Sequence, residues 1–194
     1  VEAYVHLAYN LYLLGHNTKK NEYSEKLQNR LIKRLKDANE FPGAYYESYV
    51  CAALIRAGFE VEFEDETDGA SGHCDFTVTC KQSGKKYTVE AKAIRREGAY
   101  GATQNTSQSS LQQAIRNQLY DALRKPSPHP RIIFVETNLP SQTREHAVAS
   151  VKEAVAAVQN AENLTINKAP TEAAYVFLTN HTHQYNLQGD SSRS

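Results

Sequence analysis

Residues 75 to 93 read DFTVTCKQSGKKYTVEAKA. Apolar and polar residues alternate on both sides of KQSGK, and a period of two is the mark of a β-strand with unlike faces. The polar KQSGK stretch is a good hairpin connection. In the first segment, Cys74, Phe76, Val78 and Cys80 share one face, and Asp75, Thr77 and Thr79 share the other. In the second, Tyr87, Val89, Ala91 and Ala93 oppose Thr88, Glu90 and Lys92. Charged side chains seldom lie inside core strands. Pairing the two segments brings Asp75, Glu90 and Lys92 onto one polar surface.

The rest of the chain alternates helical and extended patterns. Residues 2–15 and 24–38 read as two helices, and the first 40 residues as a helical hairpin. Pro42 opens a third helix that Gly58 ends. FEVEF is a strand, followed by the hairpin, and then by a long polar loop over residues 97–110. A fourth helix covers 108–124 and stops at KPSPHP. RIIFVET is a buried strand, residues 141–160 form a fifth helix, and AAYVFLTN is the last strand. This order predicts an α/β fold with a mixed central sheet flanked by helices. The expected organisation is a helical hairpin over 1–40, one domain over 41–188 and a loose tail over 189–194.

Composition narrows the function. Lysines and arginines number 22, as do aspartates and glutamates, so the formal net charge is zero. That argues against a protein that coats nucleic acid non-specifically. The charge is uneven: KQSGKK and AIRREG are basic, FEVEFEDETDG is acidic. No apolar run reaches the roughly 20 residues that span a bilayer. VEAYVHLAYN lacks the features of a signal peptide, and a chain that starts at Val1 with no methionine reads as a fragment or processed product. Three cysteines without a CxxC spacing favour a reduced, cytoplasmic setting over a disulfide framework or structural zinc. His73 and Cys74 beside Asp75 suggest metal ligands at first sight, but Cys74 is better read as a core residue.

Two neighbouring carboxylates repel unless something neutralises them. A divalent cation does so, and hard oxygen ligands suit magnesium or manganese. Lys92 points to the same cluster and is placed to orient a water or to balance phosphate charge.

Asp75, fourteen intervening residues and then Glu90-Ala91-Lys92 resemble the PD-(D/E)XK nuclease superfamily, whose hallmark is an acid on one strand and acid-X-lysine on the next. The resemblance covers residues 42–137. The proline that precedes the aspartate in that family is replaced here by Cys74. The resemblance implies a restriction-endonuclease-like core and a magnesium- or manganese-dependent nuclease acting on DNA. Asp75, Glu90, the Ala91 carbonyl and Glu47 would be metal ligands, and Lys92 would position the attacking water. It also implies a contact with the site or substrate for Gln118, and leaves a homodimer open. Arg95, Arg96, Lys85 and Lys86 flank the motif and are expected to hold phosphates. His181 and His183 read as a strand end or a substrate contact. Tyr100 reads as an ordinary loop aromatic before a base-stacking one. The competing expectations are a catalytically inactive nuclease-fold module that binds nucleic acid or a partner protein, and charges that serve only as salt bridges.

Overall fold

The computed structural model describes residues 2–18, 24–63, 74–101, 110–166, 169–170 and 173–181. Helices α1 (Glu2–Asn17), α2 (Ser24–Leu35) and α3 (Phe41–Arg56) come first. Strands β1 (Phe59–Phe63), β2 (Phe76–Cys80) and β3 (Lys86–Ala93) follow. Then come α4 (Leu111–Leu123), β4 (Arg131–Glu136), α5 (Arg144–Ala161) and β7 (Ala174–Thr179), with a short antiparallel ribbon, β5 (Thr165–Ile166) and β6 (Ala169–Pro170), before β7. The sequence pattern had not signalled that ribbon.

The five-stranded sheet has the order β1-β2-β3-β4-β7. The first three strands are antiparallel, and β3, β4 and β7 run parallel. This is the mixed α/β sheet expected from the sequence. Local chemistry sets its corners. Pro42 sits in the first turn of α3, where a missing N–H costs nothing. Gly58 ends that helix at φ 87°, a conformation only glycine adopts without strain. Gly84, at φ 68°, closes the hairpin by donating from its N–H to Cys80 O at 2.8 Å.

The sheet buries both faces, but unequally. On one face Val61, Phe76, Val78, Val89 and Ile132 pack with α3, joined by Leu14 of α1 and Leu31 of α2. The N-terminal helices therefore contribute to this core directly. On the other face Ile133 and Val135 pack beneath Ile115 and Leu119 of α4 and Ala157 of α5. By the alternation of each strand, that second face also carries Glu60, Glu62, Thr77, Thr79 and Lys86 on β1–β3. These side chains are exposed or half-buried. The β1–β3 half of the second face is thus a polar floor.

Candidate functional site

The hairpin register is Phe76 opposite Val89 and Thr77 opposite Thr88. Continuing it by one residue sets Asp75 across from Glu90, and Asp75 N donates to Val89 O at 3.2 Å. Both carboxylates therefore project from the polar face, with Lys92 one repeat further along β3. Asp75 Oδ2 accepts a 2.7 Å bond from Ala91 N, which fixes its carboxylate against β3. Glu90 is fully buried, and Lys92 Nζ lies 2.6 Å from Glu90 Oε2. Burial and the neighbouring Asp75 charge push the Glu90 carboxyl above its ordinary 4.5, against the opposing pull of Lys92 and Lys125. Burial disfavours the Lys92 ammonium, but Asp75 and Glu90 outweigh it and raise Lys92 above its ordinary 10.5. Lys92 is a firm cation.

A fourth charge, which sequence reasoning missed, completes the cluster. Lys125 Nζ donates to both Glu90 oxygens, at 2.8 and 2.9 Å, and lies 4.0 Å from Asp75 Oδ1. Its placement follows from how α4 begins and ends. Ser110 caps the start, accepting from Gln113 N at 3.2 Å. At the other end, Arg131 of β4 is buried and donates to Ala122 O and, at 2.7 Å, to Lys125 O. A guanidinium there satisfies carbonyls that the last helical turn leaves open. Past it, the Ser127 and Thr88 hydroxyls are bonded at 2.7 Å, tying the α4–β4 connection to β3. The KPSPHP segment, legible only as a helix stop, is the strap that brings a lysine over the acids. A lysine just ahead of Pro126 was the sole signal, and lysines are common at helix ends.

The other expected residues are dispersed. Glu47 is buried on α3, which packs on the opposite face of the sheet, and pairs with Arg34 at 2.6 Å. The structure does not bring it to Asp75 and Glu90; its place at the edge of the apolar stripe is explained by the α2 arginine. Arg95 Nη2 donates to Asn39 O at 3.0 Å, and Arg96 Nε to Thr137 O at 2.8 Å, so both tie loops together beyond β3. Lys86 is exposed at the start of β3, on the same face as Glu90. Gln118 is half-buried on α4, and no contact ties it to Asp75, Glu90 or Lys92. Ala91 turns its side chain toward the α3 core, where it is partly buried. Tyr100 packs at 5.6 Å from both Phe41 and Tyr45, a loop aromatic held in a cluster. His73, His183 and residues 102–109 lie outside the described residues.

A second polar cluster lies on the α3 face at the carboxyl ends of the parallel strands. Glu136 is buried and accepts from Thr179 Oγ1 at 2.7 Å, His181 N at 2.8 Å, Asn138 N at 3.3 Å and His181 Nδ1. Burial opposes its ionisation, but the bonds from His181 and Thr179 prevail and hold its carboxyl below 4.5. Tyr46 Oη bonds Thr179 Oγ1 at 2.7 Å, and Tyr49 meets the His181 ring edge-on at 4.3 Å. His181 is thus a strand-end residue fixed by a carboxylate.

Among the described residues, no three His, Cys, Asp or Glu side chains gather as a metal-holding group. Magnesium, however, commonly takes only one or two carboxylates from a protein and keeps its waters or substrate oxygens. Asp75 and Glu90, opposed across adjacent strands, are such a pair, so the donors present fit a hard dication. The remaining potential ligand on the motif is the Ala91 carbonyl. No family model, curated protein or solved structure matches this chain.

Proposed function

We propose that the chain is a magnesium- or manganese-dependent nuclease that hydrolyses DNA phosphodiester bonds on the polar face of its hairpin. The observation that carries this reading is the convergence of Asp75, Glu90 and Lys92 on one face, with the two acids directly opposed. Asp75 and Glu90, with the Ala91 carbonyl, would hold the ion. A bound dication supplies Lewis acidity, sharpening a water nucleophile and neutralising charge on the phosphoryl group.

The chain's own residues do the rest. Asp75, anchored through Ala91 N, keeps one oxygen committed to the backbone and the other turned toward the cluster. Lys92 would donate hydrogen bonds to the attacking water and stabilise negative charge at the phosphate. Lys86 and the hydroxyls of Thr77 and Thr79 border the same floor and are placed to contact flanking phosphates.

The test is cleavage of supercoiled plasmid in magnesium by wild type and Lys92→Ala. A fall of about 100-fold or more is expected, the usual cost of losing one preorganised charge-stabilising donor. Equal cleavage by both proteins removes the proposal.

A second reading is favoured by the charge balance. Two ammoniums face two carboxylates, so the cluster is neutral as it stands and could brace a non-catalytic nucleic-acid or protein-binding module. Magnesium calorimetry without heat, together with DNA binding without cleavage, selects it.

A further inference from the structure

Lys125 is the one member of the cluster that comes from outside the hairpin. It reaches Glu90 through both oxygens at 2.8 and 2.9 Å and stands 4.0 Å from Asp75 Oδ1. An ammonium so placed bridges the same two carboxylates that a hard cation would bridge. Its side chain is about a quarter exposed, at 23%, whereas Glu90 is at 0%. The carboxylate is therefore locked in place, and the lysine has an open route to solvent.

Lys92 differs. Its ammonium lies 2.6 Å from Glu90 Oε2, and it rises from β3 itself, at a residue paired with Val135 of β4. Lys125 follows the last turn of α4, where only its own carbonyl is clamped, by Arg131. Five bonds separate Cα from Nζ in Lys125, so its head can swing several ångströms without moving the backbone.

We infer that Lys125 is a built-in counter-cation that holds the Asp75–Glu90 pair in the metal-free protein and leaves it when a dication enters. Two facing acids without a cation repel each other and would splay the hairpin end. A tethered ammonium prevents this, at the cost of competing with the metal for the same oxygens. Once displaced, it lies beside the polar floor, where an anionic phosphate is the natural partner. The inference rests on the metal reading given above.

Calorimetric titration with manganese alone, on wild type, Lys125→Met and Asp75→Asn, tests it. Removing the competitor is expected to tighten manganese binding by about tenfold or more in Lys125→Met, while Asp75→Asn loses it. In chelator, Lys125→Met should melt below wild type, and saturating manganese should raise its melting temperature by more than it raises that of wild type. If wild type and Lys125→Met bind equally, or the variant binds more weakly, Lys125 is not a competitor, although the metal site stands. If neither binds, the metal reading fails and takes this inference with it. Lys125→Gln, which keeps a hydrogen-bond donor without the charge, replaces the methionine variant should that one not fold; the same outcomes apply.

Discussion

Replacing Glu136 by glutamine keeps the shape of a buried side chain and removes only its charge. In the native protein both carboxylate oxygens accept: Oε1 from the backbone N–H groups of Asn138 and His181, Oε2 from Thr179 Oγ1 and His181 Nδ1. A glutamine carbonyl can serve the backbone pair. Its NH2 then faces Thr179 and His181, which must turn from donors into acceptors, and Thr179 is already bonded to Tyr46. Bonds to a charged group are worth about 1.5–3 kcal/mol, against about 1 kcal/mol for neutral ones. Four bonds each weakened by about 0.5–2 kcal/mol lose about 2–8 kcal/mol, and relief from burying a charge returns a large part of it. The net loss is about 2–3 kcal/mol, or about 5–10 °C in Tm for a chain of this size. The folded-state pKa of Glu136 lies below its ordinary 4.5. Its contribution is therefore present above 4.5 and is lost as pH falls through the lowered folded value. Urea unfolding of wild type and Glu136→Gln from about pH 7 down to about pH 3 should show the full difference at neutrality, shrinking in acid. A difference under about 0.5 kcal/mol at neutral pH, or one that grows as pH falls, refutes the reasoning.

Two further substitutions test the scaffold. Arg131→Met should cost about 2–3 kcal/mol, because it leaves carbonyls at the end of α4 unsatisfied; thermal melts measure it, and loss of the clamp should also loosen Lys125. Gly58→Ala should cost about 1 kcal/mol by chemical denaturation: the position has open space for a Cβ, so only the left-handed backbone at φ 87° opposes it.

The hairpin was legible because strand alternation is local. FTVTC and KYTVEAKA each carry their facial assignment in their own sequence, and KQSGKK allows one short connection, so Asp75, Glu90 and Lys92 could be placed together before any contact was known. The helices were legible for the same reason, with Pro42 and Gly58 marking the ends of α3. Glu47 was misplaced because periodicity shows that a residue is near a buried stripe, not what covers it. Arg34, thirteen residues earlier, supplies its partner across α2 and α3. The Glu136 cluster was invisible for a related reason: Thr179 and His181 lie more than forty residues downstream and meet Glu136 only because β7 pairs in parallel with β4.

Sequence alone therefore determined the five helices and the strands of the main sheet, the mixed α/β class and the polar edge of one hairpin, since all of these follow from spacing along a few residues. The tertiary structure decided the rest. It chose which face of the sheet α3 covers and so separated Glu47 from the acids. It also carried the end of α4 across β3, so that Lys125 came to rest between Asp75 and Glu90. Such pairings depend on how chain segments far apart in sequence cross the sheet, and electrostatic balance between them is settled only once they are brought within bonding distance.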